Sequence, residues 1–324
     1  MRRTTTIGVC LLILFAASAG AAALDTLTVC SFNINRLGTY AEKDVQALAH
    51  VLAHYDIVVI QGIVAPPYEG AFPNGESYQP SGKVAEFFDE MTIRHGFGYV
   101  LSEEDTGKRL INHSNEPWTE WFAVFYDPTK LEPATGLPQT FLSEDVTANP
   151  AFDRVPYAFP LRHLETGFDF VLVSVHLHEG LAEVDRARRA EELEAIFAWI
   201  DGQTTGETEY IVLGSMNFAD CGEILTCAPS ECLFLNPTYS GDCLATDATL
   251  APGHPHDGVL FTQRVEVDYV LGLRVIDLVA GLAAVWNPFG EPIEDAYGDL
   301  DFVRKISDHN PIVFRFQLAS GDWD

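Results

Sequence analysis

The chain has 324 residues, of which 47% are hydrophobic, 20% charged and 11% aromatic, which excludes a disordered or fibrous chain and allows a sizeable core. Its 19 basic residues stand against 47 acidic ones, a net charge of −28. Proteins that grip nucleic acid normally carry the opposite sign, so this charge disfavours a polyanion as partner except where salt screens the repulsion to about 3–8 Å.

The first residues have the layout of a secretory signal peptide. Arg2 and Arg3 form a basic start, an apolar run follows over 7–17, and small residues end the segment at 21–23. A membrane anchor is the alternative, but the run is shorter than the roughly 20 residues that span a bilayer. We therefore expect a secreted or periplasmic protein without residues 1–23 and without further membrane contact.

Predicted strands and helices follow one another along the mature chain, and no repeat or long linker divides it, so we expect one domain over residues 24–324. We also expect a monomer. Short alternating or continuous apolar runs predict strands over 27–34, 56–60, 120–126, 156–162, 168–177, 210–213, 265–271 and 311–318. Helical periodicity predicts helices over 41–54, 81–94 and 182–200. Two packed sheets with helices outside satisfy this order, although periodicity does not distinguish them from other α/β folds.

Cysteine usage fits an exported protein. Cys10 leaves with the signal peptide, and Cys30 lies in a predicted buried strand, where a thiol is inert. The four others crowd into one segment and allow three pairings: Cys221, Cys227, Cys232 and Cys243. Near-ligand spacing of two of them makes a zinc site the alternative, but two disulfides are favoured in an exported chain.

Polar side chains stand at or near the ends of several predicted strands, where sheet proteins place active sites. They are Asn33, His176, Asn217, Asp308 and His309, and a further acid, Asp268, lies inside the predicted strand 265–271. Each alone has a structural explanation, such as a turn cap or a half-buried histidine.

Taken in order, the motifs around these residues resemble the endonuclease/exonuclease/phosphatase family, which contains pancreatic deoxyribonuclease. The matching pieces are SFNI, DIVVIQ, TEWFAVFYDP, the R-x-P that begins at Arg154, VSVHL, LG-x-MN, VDYVL and SDHNP, spread over residues 27–318. The resemblance implies an α/β fold, a four-layer α/β/β/α sandwich of two packed mixed sheets flanked by helices.

The resemblance also implies in-line hydrolysis of a phosphodiester by water, with two acid-held histidines on either side of the phosphate. By motif, His309 would be oriented by Asp268, and His176 by Glu120. One histidine would act as general base and the other as general acid.

Further roles carried over by motif concern the metal and the substrate. Asn33 and Asp308 would belong to a site for Mg²⁺, or for Mn²⁺ or Ca²⁺, which neutralises developing charge. Asn217 would bind a phosphate oxygen or orient the nucleophile, and Arg154 would contact the phosphate. Trp118 stands where nuclease relatives place an aromatic against sugar or base.

Two positions depart from the family pattern at its most demanding points. Gly62 follows the I-Q of the second strand, where the family has its principal metal-ligating glutamate. Ser215 replaces the aspartate of the G-D-x-N motif. Glycine has no side chain that could coordinate a cation, and serine is a far weaker ligand than a carboxylate. We therefore expect metal binding to be weakened or lost and activity to be very low or absent.

The sequence thus favours a secreted phosphodiesterase of the deoxyribonuclease type, with nucleic acid as the leading substrate class. A non-catalytic pseudoenzyme or inactivated variant that binds a phosphate ligand is the alternative. The second alternative is a sphingomyelinase or a sugar-phosphate phosphatase, and the last alternative is a retained scaffold without a ligand. Whether the carboxylates were lost naturally or by engineering stays open.

Overall fold

The computed structural model describes residues 26–107, 119–143, 150–207, 209–227, 232–235, 243–248, 253–262, 267–288 and 300–318. The strands are β1 Thr26–Leu37, β2 Ile57–Ile63, β3 Gly70–Ala71, β4 Ser77–Tyr78, β5 Gly98–Leu101, β6 Trp121–Tyr126, β7 Leu131–Pro133, β8 Thr140–Phe141, β9 Tyr157–His163, β10 Asp169–His176, β11 Tyr210–Ser215, β12 Cys232–Phe234, β13 Asp257–Thr262, β14 Val267–Val275 and β15 Ile312–Leu318. The helices are α1 Val45–Leu52, α2 Gly82–Asp89, α3 Glu183–Asp201, α4 Cys221–Cys227, α5 Leu278–Gly281, α6 Ala283–Trp286 and α7 Leu300–Lys305, and a π-helical turn, Glu90–Arg94, continues α2.

Two mixed sheets form the centre of the molecule. One has the order β14-β15-β1-β2-β6-β5, and the other has β12-β13-β11-β10-β9-β7, with β8 paired to β9. Each sheet has a parallel pair at its middle, β1 with β2 and β10 with β11, while the other pairings are antiparallel. The predicted α/β/β/α sandwich is confirmed.

Alternation along β1 shows why the sheets stack. Leu27 and Val29 point into the core between the sheets, whereas Cys30 and Phe32 point into a second core beneath the helices. Successive side chains of a strand face opposite ways, so one strand serves both cores. Phe316 of β15 meets Phe170 of β10 across the sandwich at 5.4 Å between ring centroids.

Helices close the outer faces of both sheets. Apolar residues of α1, α2, α5 and α7 join the core outside the first sheet. Leu193, Ile196 and Ile200 of α3 pack on the second sheet. None of the helices in the described ranges is long and apolar enough to span a bilayer.

The cysteine predictions are confirmed in part. Cys221 is bonded to Cys243, and Cys30 is a free, buried thiol. Burial raises the pKa of the Cys30 thiol far above its ordinary value, so it stays protonated and inert. The side chains of Cys227 and Cys232, and the whole segment 1–25, lie outside the described residues.

Candidate active site

A cavity of about 530 Å³ opens where strands of both sheets end. Most of the residues predicted for the site line it: Asn33, Glu120, Arg154, His176, Asn217, Asp308 and His309. The parallel pairs explain the convergence, because the carboxyl ends of β1, β2, β10 and β11 carry the polar positions to one edge of the sandwich. Trp118 lies outside the described residues.

His176 and its predicted partner form one half of the site. His176 Nδ1 donates to the Glu120 carboxylate at 2.9 Å, which leaves Nε2 directed away from Glu120. Arg154 Nε lies 3.3 Å from the same carboxylate. Burial alone would raise the pKa of Glu120, but the charges of His176 and Arg154 outweigh it and lower that pKa to about 2. Glu120 therefore stays ionised and holds both His176 and Arg154 in place.

His309 is held by a different acid from the one predicted. Its Nδ1 donates to Asp257 Oδ2 at 2.8 Å. Burial opposes charge on this imidazole, yet Asp257 prevails and raises the pKa of His309 to about 9. The proposed pairing with Asp268 is therefore corrected. Asp268 lies at a register shift of β14, and its side chain is outside the described residues, whereas Asp257 begins β13 beside Ser215 of β11.

Gly62 lies at the end of β2, next to the site, in a backbone conformation that favours glycine. Its backbone is left-handed, with φ +80°, and its N–H donates to Glu120 Oε2 at 3.1 Å. A Cβ added here would lie 2.6 Å from Asn33 Oδ1 and 3.0 Å from the Asn35 nitrogen. Glycine is therefore required by both conformation and space.

Ser215 is likewise built into the site. Its hydroxyl donates to Asp257 Oδ1 at 2.8 Å and accepts from Asn33 Nδ2 at 3.1 Å. The serine thus fills the space between Asn33 and the acid that orients His309. Asn33 Oδ1 in turn accepts from the Asn35 N–H at 3.0 Å.

These contacts decide whether the residues suit the family's metal. Of the four family positions, Gly62 supplies no ligand, while Asn33 and Ser215 are engaged in hydrogen bonds with each other. Asp308 keeps a buried oxygen, Oδ1, without a hydrogen-bond partner. Within the described ranges, no three His, Cys, Asp or Glu side chains converge to hold an ion. The residues do not fit the family's metal site.

Asn217 makes a structural hydrogen bond in addition to its predicted role toward phosphate. It adopts a left-handed backbone, φ +55°, and its amide nitrogen donates to the Leu177 carbonyl at 2.8 Å. This bond joins the loop after β11 to the end of β10, next to His176. Its predicted role toward phosphate stays a prediction.

Several residues of the cavity were missed from the sequence. His254, His256 and Asp247 come from the segment before β13, and Glu179 comes from the loop after β10. Burial lowers the pKa of His256 to about 4, and its ring lies 5.7 Å from that of His309. The run HPHDGVLF, with two histidines and an acid before an apolar stretch, is the signal that could have found them.

The chain matches no protein-family model and no curated relative. Solved structures do match it. An endonuclease/exonuclease/phosphatase family protein from Bacteroides thetaiotaomicron superposes with a TM-score of 0.57 at 14% identity, over 91% of this chain and 99% of that one. This chain has the endonuclease/exonuclease/phosphatase fold. Humanized TDP2 from D. rerio superposes with a TM-score of 0.55 at 12% identity, over 90% of this chain and 99% of that one. Mannosyl-6-phosphatase Bt3783 from B. thetaiotaomicron superposes with a TM-score of 0.54 at 16% identity, over 90% of this chain and 100% of that one.

The fold is thus one used by nucleases and phosphatases, and the likeness at these identities extends to the fold alone. The function depends on this chain's own side chains. Two histidine–carboxylate pairs and a buried arginine surround one cavity, which is an arrangement suited to a phosphoryl group.

Proposed function

We propose that this protein is an exported phosphoester hydrolase of the deoxyribonuclease-like type, with a preserved phosphate pocket and very weak turnover. One observation carries the proposal. His176 with Glu120, and His309 with Asp257, bring two carboxylate-held imidazoles from the two sheets to the same cavity as Arg154.

Each residue has a chemical task in this proposal. Arg154 would bind phosphate oxygens, and its planar guanidinium suits two of them at once. Glu120 and Asp257 occupy the Nδ1 atoms of the histidines, so each Nε2 is the nitrogen available to a substrate. Proton transfer to the leaving oxygen and from the attacking water would then use one imidazole each.

The weak turnover follows from the two replaced positions. Neither Gly62 nor Ser215 can place a negative charge beside the phosphate, so a cation that neutralises charge in the transition state would be poorly held. Loss of one such electrostatic contribution typically lowers a rate by about 10²–10³.

A phosphate-binding protein without turnover is the second candidate. It is favoured by the way both replacements are bonded into the surrounding structure, Gly62 through Glu120 and Ser215 through Asp257. Such contacts would stabilise a pocket that binds phosphate without a metal ion.

The substrate class within the proposal is a phosphodiester, with nucleic acid first. One of the similar structures is TDP2 from D. rerio in complex with a single-stranded DNA product, and another is a mannosyl-6-phosphatase. These two names cover a nucleic-acid product and a sugar phosphate. A sugar-phosphate phosphatase therefore stays the alternative, together with a sphingomyelinase.

Export and a monomeric state belong to the same proposal. The signal-peptide layout of residues 1–23 supports export, and the Cys221–Cys243 disulfide is suited to an oxidising compartment. Detection of the mature N-terminus near residue 24 in the medium or periplasm would test the proposed export.

The activity is tested with plasmid nicking and with hydrolysis of bis(p-nitrophenyl) phosphate, with and without Mg²⁺ or Mn²⁺. We expect slow turnover that His309→Ala and His176→Ala abolish. An exposed His50→Ala variant is the control. Turnover that survives both active-site substitutions would remove the histidines from the mechanism, and rapid turnover by the unaltered chain would contradict the argument from Gly62 and Ser215.

A further inference from the structure

Glu179 occupies the place where a substrate anion would meet Arg154 and His176, the two side chains that Glu120 holds in one half of the site. Its Oε1 accepts from Arg154 Nη2 at 2.6 Å and lies 3.7 Å from His176 Nε2. Glu120 already accepts a hydrogen bond from His176 Nδ1 and lies 3.3 Å from Arg154 Nε. A single oxygen of Glu179 therefore faces both outward-directed nitrogens.

The backbone that carries Glu179 is firmly held. Arg189 Nη1 donates to the carbonyls on both sides of it, His178 at 3.0 Å and Gly180 at 2.7 Å. The His178 N–H donates to Glu192 Oε2 at 2.7 Å. Gly180 has φ +121°, and a Cβ there would collide with the Asp185 carboxylate. These contacts set the position from which the Glu179 side chain reaches Arg154.

Exposure distinguishes the two ion-pair partners. The Glu179 side chain is 63% exposed, whereas that of Arg154 is 7% exposed. Arg154 is thus fixed from below by Glu120, and the Glu179 carboxylate is the partner that can rotate toward solvent. An arriving anion would displace it or lie beside it.

We propose that Glu179 is a specificity-determining residue that admits the monoanionic phosphodiester and rejects the dianionic phosphomonoester. The inference rests on the proposed phosphate pocket. The carboxylate competes with any anion for Arg154 and His176, and it then repels the bound ligand in proportion to that ligand's charge. A dianion therefore suffers about twice the repulsion that a diester does.

Ligand binding by calorimetry tests the inference on the full mature chain. Inorganic phosphate near pH 8 serves as dianion, and dimethyl phosphate serves as diester. We expect Glu179→Gln to bind phosphate about three- to tenfold more tightly, and dimethyl phosphate only about two- to threefold more tightly. Glu194→Gln, an exposed change on α3 with the same charge difference, should leave both affinities unchanged.

The outcomes separate this inference from the proposed function. If Glu179→Gln binds both ligands more tightly by the same factor, or neither more tightly, the proposed role of Glu179 is overturned, but the phosphate pocket is not. Weaker binding, together with loss of diester turnover in Glu179→Gln, would make Glu179 a catalytic carboxylate and overturn the inference too. Absence of binding by the unaltered chain, by Glu179→Gln and by Glu179→Ala would overturn the phosphate pocket itself, and the inference with it.

Discussion

The hydroxyl of Ser215 donates to the Asp257 carboxylate at 2.8 Å, and the other oxygen of Asp257 accepts from His309 Nδ1 at the same distance. Ser215 therefore supports the acid that orients a candidate catalytic histidine. Ser215 and His309 are parts of one hydrogen-bonded unit.

Ser215→Asp should destabilise the protein rather than restore a metal site. The new carboxylate would be buried beside Asp257 without a cation, which costs roughly 3 kcal/mol or more. Urea unfolding at pH 7 measures the loss. Ser215→Ala, which removes the hydrogen bonds to Asp257 and Asn33 without adding a charge, should cost roughly 1–3 kcal/mol. A Ser215→Asp protein as stable as the unaltered chain in the absence of metal would contradict this account.

Gly62→Glu should also be destabilising, because a side chain at φ +80° is strained and its Cβ meets Asn33. Gly62→Ala isolates that backbone and contact cost, which we expect to be about 1–3 kcal/mol. The glutamate adds repulsion from Glu120, whose carboxylate accepts the Gly62 N–H. Thermal unfolding of the two variants tests this, and we expect the unfolding temperature of Gly62→Glu to lie below that of Gly62→Ala. Combined with Ser215→Asp, this change should lower stability further without a gain in turnover.

Asp257→Asn should lower the pKa of His309 from about 9. The amide no longer stabilises the imidazolium, so burial is opposed only by the smaller effects of the Asp308 and Asp247 charges. An NMR pH titration of the His309 ring protons measures the change. Asp268→Asn is the matched comparison and should leave the titration unaltered. The reverse result would return the orienting role to Asp268.

Glu120 should contribute to stability in a pH-dependent way. Its pKa is lowered to about 2 in the folded protein, so its contribution is complete above its ordinary pKa of 4.5. That contribution is lost as the pH falls from 4.5 toward 2, because the unfolded chain binds the proton first. Glu120→Gln should therefore be less stable at pH 6, and the difference should narrow as the pH falls. Urea midpoints across this range give the comparison, and a constant difference would rule out the linkage.

Glu223→Gln should destabilise the protein by about 3–5 kcal/mol. Arg189 is fully buried and donates to Glu223 through Nε at 2.6 Å and through Nη2 at 3.0 Å. Loss of the charge leaves a buried guanidinium without its counter-ion. Glu191→Gln, an exposed neighbour on α3, should change the free energy of unfolding by less than about 0.5 kcal/mol. Equal changes in the free energy of unfolding for the two substitutions would show that the buried Arg189–Glu223 pair contributes no more to stability than an exposed glutamate does.

Sequence patterns located the fold and much of the site because both depend on local signals. Buried strands such as 56–60 and 168–177 have continuous apolar runs, and polar residues at their ends are visible as interruptions. The pairing of His309 is different, because it depends on which strand lies beside β11 in space. Asp257 begins a strand that was not predicted, and two acids of similar context, Asp257 and Asp268, are indistinguishable without the register of β13. Glu179 was missed for a related reason, since an exposed loop glutamate has no pattern before Arg154 is placed near it.

The left-handed backbone at Gly62 limits how the pocket can be re-engineered. A side chain at this position would need the space that Asn33 Oδ1 occupies and would lie close to the Asn35 nitrogen. A carboxylate therefore cannot be introduced here by one substitution without rearrangement of the end of β1. A design that adds a metal ligand to this pocket would have to change the segment from Asn33 to Asn35 together with residue 62.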